Sequence, residues 1–257
     1  MYRIIILLTT FFLSLISFAQ VTENRTLDSF SKLKVSQGIE LHFSINNTQS
    51  IRVETDDNEK LQCIKTEVEG STLKVFVDSN QYASNHKKKK NYNLNFKVLK
   101  VYVAAPEVND FEASSSASIS IDNKIVAKNC TIKAHSSGTI IGDFNADAIS
   151  VELSSSAKFT SVLTTNELNL KISSSGTAKL SGTAATAIIR ASSSGDCLAK
   201  SLSVDKATID ASSSATVYIN SINSITAQAS SSAKIFYNGN PTNVIQDSSS
   251  SGKIIKE

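Results

Sequence analysis

A short serine motif recurs along the second half of the chain and constrains the fold more than any other feature. The signature Ser-Ser-Ser-(Ala/Gly) occurs eight times, with His135 replacing the first serine of the second copy. The copies end at Ala117, Gly138, Ala157, Gly176, Gly195, Ala215, Ala233 and Gly252. Successive ends are 21, 19, 19, 19, 20, 18 and 19 residues apart. Such a period is typical of repeat architectures, in which each repeat is one structural unit.

Apolar and polar residues alternate around each copy of the motif. In the repeat that ends at Gly195, the apolar residues Ile189 and Ala191 precede the motif, and Cys197 follows it. A polar residue separates Ile189 from Ala191, and another polar residue lies just before Cys197. A period of two indicates a β-strand with one buried face. One repeat is too short to bury that face, so we expect the repeats to stack in parallel. The sequence therefore predicts an all-β fold, a parallel β-helix (β-solenoid) wound from a single chain with coils of about 19 residues.

A ladder of charged residues supports this stacking. The fifth position before each small residue is polar, and in chain order it holds Glu112, Lys133, Glu152, Lys171, Arg190, Asp210, Gln228 and Asp247. Most neighbours carry opposite charges, and Lys171 and Arg190 are the like-charged pair. Opposite charges on neighbouring strands contribute a few tenths of a kcal/mol each. The ladder therefore favours one alignment of the coils.

The serine content is a consequence of the repeat. The chain has 43 serines but only 9 glycines and 2 prolines, which is not the composition of a flexible linker. If the alternation continues through the motif, the middle serines point inward and the outer two point to solvent. The inward positions predicted in this way are Ser115, Ser136, Ser155, Ser174, Ser193, Ser213, Ser231 and Ser250. We expect the small residue to lie inward at a tight corner, and the stacked hydroxyls to hydrogen-bond as a ladder.

The first 19 residues are typical of a cleaved secretory signal. Arg3 gives a positive start, an apolar run follows, and Ser17 and Ala19 supply small residues before a cleavage site at Gln20. The alternative is a membrane anchor, although the apolar run is short for a span. The sequence thus predicts an exported protein, periplasmic, cell-surface or secreted, with no transmembrane segment after cleavage.

Cysteine, histidine and net charge exclude several functional classes. Cys63, Cys130 and Cys197 are odd in number and lack the spacing of zinc ligands, so we expect buried free thiols, with one disulfide as the alternative. The three histidines are scattered, and no metal or cofactor is predicted. The net charge of +3 does not indicate a nucleic-acid partner.

Residues 20–104 contain strand-like runs without the serine motif, and we predict that this N-terminal β region is continuous with the Ser-rich repeats at residues 105–257.

The motifs of the N-terminal region, followed by serine-rich repeats, resemble the putative auto-transporter adhesin family with the head GIN domain. The matching residues are Phe30, Leu33, Val35, Gly38-Ile39, Val53-Glu54, Asp56, Asn58, Val68-Glu69-Gly70 and Leu73. The family pattern favours Val-x-Gly-Val, and here the variant is Ser36-Gln37-Gly38-Ile39. The resemblance implies a right-handed parallel β-helix of the pectate-lyase-like class, exported by a Bacteroidetes-type bacterium, with no established catalytic residues.

These observations predict a non-catalytic binding or structural module, an adhesin that engages a glycan, a cell-envelope component or a protein through its solenoid surface. The alternative is a polysaccharide-active lyase or hydrolase, because many β-helices are such enzymes. Glycosidases need paired carboxylates, whereas the acids here alternate with cations. The candidate ligand contacts are Lys87, Lys88, Lys89, Lys90, Tyr92, Tyr218 and Phe236. Unpaired strand edges at the solenoid ends favour self-association.

Overall fold

The structure is a computed structural model and describes residues 20–80, 82 and 94–257. The predicted signal peptide at residues 1–19 and the candidate contacts Lys87, Lys88, Lys89, Lys90 and Tyr92 lie outside the described residues. The strands before the repeats are β1 (Val21–Arg25), β2 (Lys32–Val35), β3 (Glu40–Ile45), β4 (Ser50–Thr55), β5 (Ile64–Glu69), β6 (Thr72–Val77) and β7 (Leu99–Ala105). One short helix, α1 (Asn58–Cys63), lies between β4 and β5.

The repeats supply twelve more strands. They are β8 (Asp110–Ala113), β9 (Ser118–Ile121), β10 (Ile125–Ala134), β11 (Thr139–Ile141), β12 (Phe144–Leu153), β13 (Lys158–Ile172), β14 (Thr177–Ala191), β15 (Asp196–Ala211), β16 (Thr216–Ala229), β17 (Lys234–Asn238), β18 (Asn243–Ser248) and β19 (Lys253–Lys256). Strands of successive coils pair in parallel, as β13 does with β14. The predicted β-solenoid with a spacing of about 19 residues is confirmed.

The register of the coils is the one that the charge ladder predicts. Glu152 lies opposite Lys171, and Lys171 lies opposite Arg190. The ladder also continues into the N-terminal region, because β2 pairs in parallel with β8 and places Lys34 opposite Glu112. The electrostatic pattern of the sequence therefore corresponds to real neighbours on the surface.

The predicted inward residues form one continuous core. Ile189, Ala191 and Cys197, which flank one motif, are each at most 2% exposed. Four phenylalanines lie along the axis of the core, in the order Phe43, Phe111, Phe144 and Phe159, and neighbouring ring centroids are 5.5 to 6.0 Å apart. Burying such a side chain contributes about 1.5–3 kcal/mol, so the stacked core is the main source of stability.

Each long coil bends at two corners in addition to the serine turn. Along β15, buried and exposed residues alternate except at Lys200–Ser201 and at Asp205–Lys206, where two successive residues are exposed. Each pair of exposed residues resets the alternation, so that the following segment again points its apolar residues inward. The coil thus consists of three straight segments around one core.

The serine motif forms a tight turn, and the predicted inward position of its middle serine is wrong. Ser174 and Ser175 are both exposed and have φ values of 50° and 61°. The N–H of Gly176 donates to the carbonyl of Ser173 (3.0 Å) and closes a four-residue turn. Two successive positive φ values are those of a type I′ turn. This reversal breaks the alternation, while the small residue after it is buried as predicted.

The ladder that joins the turns is made of backbone groups, so the predicted ladder of hydroxyls is also wrong. The N–H of Ser175 donates to the carbonyl of Ser193 in the next coil at 3.0 Å. The N–H of Ser173 donates in the other direction, to Leu153 of the preceding coil at 2.9 Å. The same bonds recur in the other copies. Each turn is therefore held to the coil before it and to the coil after it.

A ninth copy of the turn lies in the N-terminal region. β2 and β3 pair with β8 and β9, which places Ser36-Gln37-Gly38-Ile39 opposite the first serine turn. Gln37 and Gly38 have φ values of 61° and 71°, and the N–H of Gly38 donates to the carbonyl of Ser115 at 3.0 Å. The family motif noted in the sequence is thus the first step of the same ladder.

The two ends of the solenoid differ. At the N-terminal end β6 and β7 pair in parallel with β2 and β3, and β5, β4 and β1 then add in antiparallel order. The Arg25 side chain of β1 donates to the carbonyl of Ile64 in β5 at 2.7 Å. At the other end β18 and β19 pair on one side only within the described residues. All six residues of β18 are exposed, including Val244 and Ile245.

The three cysteines are buried free thiols, as predicted. Burial raises the pKa of Cys130 to about 11 and, together with the nearby charge of Asp196, that of Cys197 to about 12. Both thiols are therefore protonated and unreactive at neutral pH. In the described part of the chain, no helix has the length and apolar character needed to cross a membrane.

Candidate functional site

The irregular repeat spacings lie on one side of the solenoid. The coil that ends at Ala215 has one extra residue, so that Ala199 and Lys200 of β15 lie opposite Leu180 of β14. The following coil is shorter, and residues 200–202 have no partner in β16. Insertions in repeat proteins commonly map to the binding face, and β-bulges are enriched beside functional sites. The surface around this bulge is therefore a candidate binding site.

An outward ladder of residues crosses this surface. It occupies the third position after each small residue and consists of Ser120, Ile141, Thr160, Lys179, Leu198, Tyr218, Phe236 and Ile255. Ile141 is 48% exposed and Leu198 is 40% exposed. Apolar residues thus stand at outward positions of this ladder, whereas the charge ladder carries polar and charged side chains.

These side chains border a recess of about 490 Å³, which we call the lateral groove. Its principal lining residues are Ile141, Val162, Lys179, Leu198, Lys200 and Tyr218. They come from five successive coils, and at about 4.8 Å per coil the groove runs roughly 19 Å along the axis. Its volume is within the range of small-molecule sites, about 300–1,000 Å³.

The floor of the groove is made of small residues. Ser181 and Ser201 are paired across neighbouring coils and both line the groove. Ser161 lies behind the groove, is 4% exposed, and has a buried hydroxyl oxygen without a hydrogen-bond partner among the described residues. It alternates inward with Phe159 and is in register with the core residue Leu180. This hydroxyl therefore faces the core and is not presented to the groove.

The charged residues of the groove differ in their contacts. The Lys200 ammonium is 2.6 Å from a carboxylate oxygen of Glu257 and 4.6 Å from the ring centroid of Tyr218. The Asp143 carboxylate accepts the backbone N–H of Val162 at 3.1 Å. Lys179, by contrast, is exposed and forms no ion pair or hydrogen bond with any described residue. It is the unmatched cation of the groove.

The structure places the predicted contacts Tyr218 and Phe236 side by side at the C-terminal end of the groove. They are half-buried and stack on each other with ring centroids 4.7 Å apart and an interplanar angle of 10°. Because Phe236 and the Lys200 ammonium both lie against the Tyr218 ring, little of that ring is free to stack on a sugar. The core aromatic in this region is Tyr237, which is 5% exposed.

Two acids of the charge ladder, Glu112 and Glu152, are engaged with neighbouring side chains. Glu112 lies 2.6 Å from the Lys34 ammonium and 3.3 Å from His135, and Glu152 lies 3.2 Å from Lys171. Burial opposes ionisation of Glu112, but its hydrogen bond from Lys34 and the neighbouring charges outweigh burial, so its pKa is held below the ordinary value. A general acid of a glycosidase needs a raised pKa, so Glu112 is tuned in the opposite direction.

The sequence analysis identified Tyr218 and Phe236 but missed the groove beside them. The signal was present in the spacings of 20 and 18 residues, which mark the coils with the bulge. In the described part of the chain, no group of three or more His, Cys, Asp or Glu residues is arranged to hold a metal ion.

Comparison with known proteins places this geometry among adhesin-like solenoids. A model of the family "putative auto-transporter adhesin, head GIN domain" matches residues 29–161 and 146–241. A putative adhesin from Parabacteroides merdae is similar in structure, with a TM-score of 0.83 at 19% identity over 93% of this chain and 96% of that chain. The comparison with curated proteins gives no match.

Two further solved structures, both from Parabacteroides distasonis, are similar to this chain. One is a putative lipid binding protein, with a TM-score of 0.82 at 22% identity over 93% of this chain and 96% of that chain. The other is a putative adhesin, with a TM-score of 0.82 at 16% identity over 93% of this chain and 97% of that chain. At these identities the likeness establishes the fold.

Proposed function

Because the chain belongs to the putative auto-transporter adhesin, head GIN domain family, we propose that it is an exported, non-catalytic binding protein that attaches through its lateral groove to a component of the cell envelope. The observation that carries this proposal is the groove itself. It is an apolar recess at outward positions of a solenoid whose charge ladder lies on another side of the coil. Exposed apolar surface rimmed by polar residues commonly marks a binding site.

The contacts of the acidic residues favour binding over catalysis. In an enzyme that cleaves polysaccharide, two carboxylates would flank the bound sugar, and one would have a raised pKa. Glu112 and Glu152 are instead paired with Lys34 and Lys171. We therefore assign them to the stability of the stack, and we place ligand binding on a different side of the coil.

The proposal is tested by binding of the labelled mature chain to envelope fractions of the producing bacterium. We expect saturable binding by the parent and its loss in Leu198→Glu, because the new carboxylate would be buried beneath the ligand. Val126→Glu is the matched control, since Val126 is 74% exposed and does not line the groove. Absence of saturable binding, or equal binding by Leu198→Glu and the parent, would contradict the proposal.

We also propose that the solenoid self-associates through β18 and β19. Both strands have one unpaired edge within the described residues, and Val244 and Ile245 of β18 are 42% and 57% exposed. Unprotected apolar edges are templates for pairing with another chain. At the other end, Arg25 bridges β1 to β5, and charged residues on both strands oppose such pairing.

A further inference from the structure

We infer that the ligand of the lateral groove is an amphiphile, an acyl chain that lies along the groove with an anionic headgroup held by Lys179. This inference rests on the proposed function and specifies the chemistry of its site. It is drawn from three features of the groove: its apolar wall, its length and its one unmatched cation.

The wall of the groove suits a hydrocarbon chain. Ile141, Val162 and Leu198 line it, and each is between 40% and 48% exposed. Covering apolar surface gains about 25 cal/mol per Å². A recess of roughly 19 Å, four steps of about 4.8 Å, has the length for an extended hydrocarbon chain.

The rim of the groove suits an anionic headgroup. Lys179 extends from the middle coil of the groove, and its ammonium has no partner among the described residues. Lysine stems pack along apolar surface while the ammonium reaches solvent. Lys200 is already neutralised by Glu257. Lys179 is thus the cation available to bind a carboxylate or a phosphate.

The two acids of the groove are engaged elsewhere. The Asp143 carboxylate accepts the backbone N–H of Val162, in the coil one step before that of Lys179. Glu257 is paired with Lys200. Neither carboxylate forms an ion pair with Lys179.

A glycan fits these features less well. Sugar recognition uses the open face of an aromatic ring, whereas the Tyr218 ring lies against Phe236 and the Lys200 ammonium. The remaining lining residues near Lys179 are aliphatic or small. The groove therefore offers apolar surface that a hydrocarbon chain could cover and one positive charge for its anionic headgroup.

The test measures binding of a fluorescent fatty acid, dansyl-undecanoate, below its micellar concentration. We expect saturable fluorescence enhancement by the parent and displacement by dodecanoate. Lys179→Glu should weaken binding severalfold, since it removes an exposed charge pair worth about 0.2–1 kcal/mol and adds a repulsion of similar size. Leu198→Glu should abolish binding, and Lys158→Glu, which changes an exposed lysine outside the groove, should leave it unchanged. Circular dichroism of each variant verifies that it is folded.

Three outcomes would overturn the inference. The first is the absence of saturable binding by the parent. The second is displacement by the neutral dodecyl maltoside as strong as by dodecanoate, with no effect of Lys179→Glu, because the anionic headgroup would then have no role. The third is displacement by maltooligosaccharide or by protein fragments of the envelope but not by dodecanoate, which would assign the groove to another ligand class. If envelope binding is lost in Leu198→Glu while dansyl-undecanoate never binds the parent, the lipid inference fails and the proposed function stands.

Discussion

At the scale of single residues, the turn places serine where the backbone is left-handed. Each of the eight copies has two such residues in succession, with φ between 48° and 66°. For a residue with a Cβ atom this conformation costs about 1–2 kcal/mol. It persists because bonds to both neighbouring coils fix the backbone, as the bonds of Ser173 and Ser175 illustrate. This backbone strain therefore recurs in each serine turn and is offset by the hydrogen bonds between stacked coils.

Replacing one left-handed serine with glycine should stabilise the protein. Ser175 is exposed, has a φ of 61°, and contributes its backbone N–H to the ladder, which glycine retains. Glycine avoids the Cβ clash but loses more conformational entropy on folding, which costs about 0.5–1 kcal/mol. We expect Ser175→Gly to raise the free energy of unfolding by about 0.5–1 kcal/mol, measured by urea denaturation.

The first serine of the same turn is the control. Ser173 does not have a positive φ, so glycine there brings only the entropic cost and should destabilise by about 0.5–1 kcal/mol. If Ser175→Gly is as destabilising as Ser173→Gly, the serine side chain and not the backbone conformation determines the preference for serine in this turn.

At the scale of strands and ladders, Glu112 makes the stack sensitive to acid. Its lowered pKa means that the ionised carboxylate is more stable in the folded state, through Lys34 and His135. The contribution is therefore complete at neutral pH and is lost as the pH falls below the ordinary value of 4.5 and through the folded pKa. We expect Glu112→Gln to destabilise by about 1 kcal/mol at neutral pH, and the difference from the parent to vanish in acid.

The matched control is Glu152→Gln on the same ladder. Glu152 and its partner Lys171 are 53% and 63% exposed at their side chains, and exposed pairs contribute about 0–1 kcal/mol. Urea titrations of both variants across the acidic range measure the two effects. A pH-independent difference for Glu112→Gln would mean that its contribution comes from packing.

The strands and their register could be predicted from the sequence. The alternation of apolar and polar residues and the pairing of opposite charges are short patterns, and both recur in successive coils. The same reasoning failed at the middle serine, since alternation assumes an extended chain and Ser174 reverses it. The six-residue helix α1 was also missed, although Asp57 caps it by accepting the N–H of Glu59. Of the candidate site, Tyr218 and Phe236 followed from the alternation. The groove did not, because its depth depends on how the bulge at Lys200 packs against the neighbouring coils.

At the scale of the whole molecule, the C-terminal end should be less protected than the middle of the solenoid. In a stacked array the stability of each coil depends on its neighbours. The central strands β13 to β15 have a neighbour on each side, whereas β18 and β19 have one. We expect amide hydrogen exchange to be faster in β18 and β19 than in β13 to β15 in dilute protein, and slower there as the concentration rises and the edges pair.

Val244→Lys provides the control for self-association. The substitution places a charge at the exposed edge and should remove the concentration dependence of exchange, and light scattering should then give the monomer mass. Val126→Lys, which changes an apolar residue that is 74% exposed elsewhere, should behave like the parent. A monomer at all concentrations, with exchange of β18 unaffected, would exclude association through this edge.

The serine turn also separates the length of the molecule from its recognition chemistry. Because the bonds between successive turns join backbone groups of identical serines, a coil added to or removed from the regular part would leave every joint unchanged. Each such change would alter the length by about 4.8 Å. The number of coils then sets the length of the module, while the few coils with irregular spacing determine which ligand it binds.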